Sequence, residues 1–261
     1  MNWNPTWICP ANDLGDPAAV FGTSFVFEKK ITHANLTITA MGVYEARLNG
    51  RRVGQFVVAP GWTSYHKRLQ YQEYDITDLL TNGKNEIEVT VGKGWYRSPL
   101  PGWLGCAYQD ELRSRPCGLA AQITLTFEDG SSKILSTNES WKVSDGPVRF
   151  SEIYDGEIYD AAKTPSLDQS VSIFDGPTDT LILQQGEEVC EQERLAVKKV
   201  FVTPNGETVL DFGQNMTGYV ELFVNAKAGD CVDLSFAEVM DKEGNFYTEN
   251  YRSAKAQYHY I

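Results

Sequence analysis

The chain has 261 residues, 42% hydrophobic and 22% charged, and its 23 Lys and Arg against 35 Asp and Glu give a net charge of -12. This composition excludes a disordered polymer, and the acidic balance removes the phosphate attraction that underlies nucleic-acid binding. No run approaches the roughly 18 apolar residues of a membrane-spanning helix, and "MNWNPTWICPAND" lacks the basic and apolar regions of a secretory signal, so no membrane partner and a cytoplasmic location are expected.

In chain order, β-branched or alternating apolar runs appear as "SFVFEKK", "ANLTITA", "VYEARLNG", "NEIEVTVG", "AAQITLTFEDG", "SKILSTN", "KKVFVT", "YVELFVNA" and "CVDLSFAEV". Asn49-Gly50, Asp129-Gly130 and Asn205-Gly206 punctuate them as tight turns, because both central residues of such turns tolerate positive φ. One helical turn is expected at "DITDLL", capped by Asp75 or Thr77. No long stretch has the i, i+3, i+4 spacing of an amphipathic helix. The expected class is therefore all-β, with strands spaced for two β-sandwich or jelly-roll units. From 161 to 180 the periodicity lapses into "AAKTPSLDQSVSIFDGPTDT", the composition of a connection. The expected units are residues 1–165 and 180–261, the second incomplete because "AQYHYI" still alternates at the end.

Cys9, Cys106, Cys117, Cys190 and Cys231 are odd in number, scattered and without a CxxC, so they read as reduced and mostly buried thiols. His33, His66 and His259 lie far apart, which gives no ligand-spaced pair for a metal or a nucleophile relay. "DKEGNFYTEN" misses the register of a calcium loop and reads as a hairpin turn. "DFGQNMTG" contains a kinase-like triplet with no kinase context around it.

Two groups of residues could carry function. Trp62 in "PGWTSYHKRLQY", Trp95 in "GKGWYRSPLPGW" and Trp103 lie in or beside Gly- and Pro-rich turns, where flat rings can meet a sugar. The alternative is that these rings close the ends of a sandwich core. The opening stretch itself reads as a loop entering a strand at Pro60-Gly61. "SEIYDGEIYDAA" supplies Asp155 and Glu157, two residues apart and on one face if Gly156 keeps the strand regular. A solvated connection with inward tyrosines accounts for the same segment. Both groups are carbohydrate-binding candidates, and neither is a convincing acid and base pair.

The stretch from Ala34 to Arg97, "ANLTITAMGVYEARLNGRRVGQFVVAPGWTSYHKRLQYQEYDITDLLTNGKNEIEVTVGKGWYR", resembles the N-terminal domain of bacterial α-L-rhamnosidases. "YDGEIYDA" looks like the closing motif of that domain, and "VLDFGQNMTGYVEL" with "AEVMDKEGNFYTENYRSAKAQYHY" resembles the concanavalin-like sandwich that follows it. The resemblance implies a parent enzyme that hydrolyses terminal α-L-rhamnosyl groups with inversion. It places the catalytic carboxylates in an (α/α)6 barrel beyond these β domains, so no catalytic residue carries over. Rhamnosides or rhamnose-containing glycans, and the barrel of the same chain, become the expected partners. Some relatives bind rhamnose with calcium, but no calcium ligand is placed on this sequence and no other cofactor is expected. The alternatives are a rhamnoside-binding module and a purely structural scaffold with dimer contacts. An unpaired edge in the second sandwich would also favour a homo-oligomer.

Overall fold

A computed structural model describes residues 3–98 and 114–261. The first strands are β1 (Trp7–Pro10), β2 (Ala19–Phe27), β3 (Ile31–Met41), β4 (Val43–Leu48), β5 (Arg51–Arg52), β6 (Leu69–Asp75) and β7 (Gly83–Gly92). A single-turn helix α1 (Gly94–Arg97) follows, then β8 (Gly118–Phe127), β9 (Ser132–Ser136), β10 (Lys142–Asp145), β11 (Val148–Glu152) and β12 (Gly156–Tyr159). The remaining strands are β13 (Gln169–Phe174), β14 (Leu181–Leu183), β15 (Lys199–Val202), β16 (Thr208–Asp211), β17 (Val232–Ser235), β18 (Val239–Met240), β19 (Phe246–Tyr247) and β20 (Gln257–Tyr260). The all-β expectation holds.

Strands β6, β3, β8 and β1 form one layer, and β10, β2, β7, β4 and β5 form the other. Strand β13 pairs with both β1 and β10 and so joins the two layers. The pattern "EIEVTV" explains how β7 sits: Ile87, Val89 and Val91 are buried while Glu86 and Glu88 face water, as the two-residue period of a strand requires. Opposite it, β3 contributes Ala34, Leu36, Ile38 and Ala40, and β8 contributes Leu119, Ala121, Ile123 and Leu125. These inner faces make one apolar core. Asn85, fully buried beside it, is satisfied: its Oδ1 accepts from Thr81 N–H and Asn49 Nδ2, and its Nδ2 donates to the Thr81 and Gly83 carbonyls. Asp75 accepts from the N–H and hydroxyl of Thr77, steadying the expected helical turn, a 3-10 turn over Thr77–Leu79.

Three local expectations change. The 161–180 stretch carries β13, whose "QSVSIF" run is masked in the sequence by its Ser, Asp and Pro flanks. "YVELFVNA" alternates like a strand but has no ladder partner among the described residues, and Phe223 within it is 88% exposed. The cysteines Cys9, Cys117, Cys190 and Cys231 are free, the first three half-buried and the last exposed, rather than mostly buried. Among the described residues, Cys190 and Cys231 belong to neither apolar cluster, so they have no core to be buried in.

Candidate functional site

Two clusters contain the expected residues. The first is built where the loop before β6 meets α1. That loop turns on itself, with the N–H groups of Lys67 and Arg68 donating to the Ser64 carbonyl, and becomes a strand only at Leu69. Gly94, at φ +52, lets α1 sit against β4, since a Cβ there would lie 2.5 Å from a Val43 methyl. This close seating brings Trp95 beside Trp62: their rings are nearly coplanar in orientation, 5° apart, with centroids 6.1 Å apart. Trp62 is 59% exposed. Tyr65 meets Tyr96 edge-on at 5.1 Å, and the Arg115 guanidinium lies 4.9 Å from the Tyr96 ring centroid. Arg115 also donates to the Tyr96 carbonyl and reaches 3.5 Å from His66 Nε2. The result is one exposed indole, Trp62, stacked on the half-buried Trp95, while Tyr65 and Tyr96 pack inward against the cluster of Trp7, Met41, Leu69 and Ala120; a flat ring open to solvent is suited to the apolar face of a sugar.

The second cluster lies at a four-stranded sheet ordered β11-β12-β20-β17, in which β12 and β20 run parallel. Asp155 occupies the turn of the β11–β12 hairpin, and Glu157 is on β12. Both line one cleft with Asp233, Lys255, Tyr258 and His259. Burial pushes the Glu157 carboxyl above the ordinary range, because a charged carboxylate loses hydration there. His259 Nδ1 contacts Asp233 Oδ1 across the β17–β20 pair. Gly156 makes this sheet possible: at φ +84, a Cβ on it would lie 2.0 Å from the Gln257 carbonyl oxygen of β20.

The structure therefore brings Trp62 and Trp95 together and puts Asp155 and Glu157 in a different cleft, while Trp103 lies outside the described residues. The sequence gives Arg115 no role and leaves His66 and His259 as isolated imidazoles, because the Arg115–His66 and His259–Asp233 contacts join segments far apart in the chain. Among the described residues, no three His, Cys, Asp or Glu side chains converge to hold a metal ion.

Comparisons with known proteins agree in one direction. The model for the alpha-L-rhamnosidase N-terminal domain matches residues 29–198, and that for the bacterial alpha-L-rhamnosidase concanavalin-like domain matches residues 201–261. An alpha-L-rhamnosidase of Streptomyces avermitilis is 38% identical over 239 residues, which cover 87% of this chain and 23% of that protein. The native alpha-L-rhamnosidase structure from Aspergillus terreus superposes with a TM-score of 0.92 at 34% identity, over 99% of this chain and 31% of that one. The Streptomyces avermitilis structure complexed with L-rhamnose gives 0.86 at 36% identity, over 94% and 24%. The chain spans about a quarter of the length of the curated relatives it matches.

Proposed function

Because this chain belongs to the alpha-L-rhamnosidase N-terminal domain family, we propose that it is the non-catalytic β-rich portion of an α-L-rhamnosidase and that it engages rhamnose-containing substrates which other parts of such an enzyme cleave. The observation that carries the binding half of this reading is the stacked pair of Trp62 and Trp95 with its outer ring open to solvent. Large apolar rings are normally buried, so an exposed one steadied by a parallel partner has the form of a platform. The relative complexed with L-rhamnose supports the choice of sugar.

Isothermal titration with L-rhamnose, with and without calcium and with D-glucose as control, tests it. Saturable heat selective for rhamnose, lost in Trp62→Ala, is the expected result. No heat at millimolar sugar would end the binding reading. The same chain should show no turnover of an aryl α-L-rhamnoside, and activity that survives repurification would overturn the non-catalytic assignment.

A bracing role is favoured by a separate observation. Strand β20, within the concanavalin-like match, pairs with β12 of the N-terminal domain. Tyr159 and Tyr260 stack across that pairing at 5.5 Å, which fixes the two segments to each other whether or not sugar binds.

A further inference from the structure

A cavity of about 390 Å³ adjoins the end of α1, between the loop that follows β1, the end of β7 and residues 114–117. Three cationic side chains line it, Lys93, Arg97 and Arg115, against two acidic ones, Asp13 and Asp16. In a protein of net charge -12 these three cations offset the nearby carboxylates Asp13, Asp16 and Glu152, so the cavity is less acidic than the chain as a whole. Lys93 is 17% exposed at its side chain, lies 2.9 Å from Asp16 Oδ1 and 3.9 Å from Glu152 Oε1, and sits over the Phe150 ring at 5.0 Å. It is therefore held in place and partly neutralised. Arg97 differs: its Nε is buried and has no hydrogen-bond partner among the described residues. A buried donor left unmade costs stability, and a guanidinium is built to present paired N–H groups to an oxyanion. Cys117, also on the wall, lies against the Arg97 guanidinium, and burial pushes its thiol up to about 11, so at neutral pH it adds no negative charge beside Arg97.

We propose that this cavity binds a small carboxylate-bearing ligand of about monosaccharide size, with the Arg97 guanidinium receiving the carboxylate and Lys93 completing the cationic wall. The volume falls at the lower end of small-molecule sites, roughly 300–1,000 Å³. Asn12 and Ser151, both on the lining, offer neutral hydrogen-bonding groups to hydroxyls. Phosphate shares the oxyanion chemistry, but it lacks the hydroxyls and ring that would fill the remaining space. The site goes beyond the rhamnose reading, since it selects charge and its lining holds Arg115 of the aromatic cluster but neither Trp62 nor Trp95.

The test is titration of the 261-residue chain with D-glucuronate, with D-glucose and inorganic phosphate in parallel. Glucuronate should give saturable heat, and D-glucose none. Arg97→Gln should weaken glucuronate binding by about tenfold or more, the usual scale for a hydrogen bond to a charged group. Asp16→Asn should tighten it, because Lys93 loses its competing anion; a misfolded variant could not produce that sign, and Asp16 is exposed. Trp62→Ala should leave the glucuronate response intact while removing that to rhamnose, which separates the two sites. Equal binding of D-glucose, tighter binding of phosphate, unchanged affinity in Arg97→Gln, or weaker affinity in Asp16→Asn would each overturn the proposal.

Discussion

Leu36 and Phe223 are both apolar residues in segments that alternate like strands, yet Leu36 is fully buried and Phe223 is 88% exposed. The difference lies in the company each keeps. Leu36 sits on β3, paired on both sides by β6 and β8 and faced by the opposite layer of the sandwich. Phe223 belongs to a segment without a ladder partner among the described residues, in a region where Val200, Val202, Leu210 and Tyr219 are exposed as well. Alternation in the sequence thus specifies which side chains share a face, and only a second layer decides whether that face becomes a core.

Truncating each residue should separate the two environments. Leu36→Ala should destabilise the chain by about 2–5 kcal/mol, the range for emptying a packed leucine site. Phe223→Ser should stay within about 0.5 kcal/mol, as exposed substitutions do. Denaturant unfolding followed by tryptophan fluorescence measures both. Comparable losses in the two variants would mean that Phe223 is packed in solution and that the contrast is false.

An intermediate effect is expected at the junction between the two regions. Gly156→Ala forces a side chain into positive φ and into the Gln257 carbonyl, at a cost of about 1–3 kcal/mol for the backbone strain alone. Strand β20 should lift from β12, breaking the bond from Ile261 N–H to the Tyr159 carbonyl and that from Ala161 N–H to the Ile261 carbonyl. Hydrogen exchange should therefore quicken at residues 257–261 and remain slow in β3 and β8. Unchanged protection of β20 would show that Gly156 is not what admits it.

Much of the closed sandwich was legible in the sequence because its strands carry their own signal. "EIEVTV" and "ANLTITA" alternate cleanly, and Asn49-Gly50 and Asp129-Gly130 mark turns where the chain reverses. Strand β13 was not legible, since Ser170, Ser172 and their polar flanks hide a strand that exists to join two layers. Trp62 and Trp95 were each legible as turn aromatics, but their stacking depends on the close approach of α1 to β4 and so on Gly94. Their spacing puts Asp155 and Glu157 on one strand face; they share a cleft instead because a hairpin turn and the neighbouring β20 bring them to it.

The smallest effect concerns Glu157, and its sign tests how tightly the junction is closed. Burial raises its folded-state pKa above the value in the unfolded chain, so the protonated form is the one the fold accommodates. The stability this contributes is fully present below the unfolded pKa and is lost as pH rises through the folded one. Once pH has risen past the folded pKa, Glu157 is a charged group held in a partly desolvated place, next to Tyr258 on the paired strand. Glu157→Gln keeps the shape and removes the charge. The variant should melt slightly higher than the parent at pH 7, and the gap should shrink as pH falls toward the ordinary range of a glutamic acid. A gap that is constant with pH would assign the difference to packing, and a variant less stable at pH 7 would mean that Glu157 holds a favourable charge contact that closes the junction, reversing the burial argument.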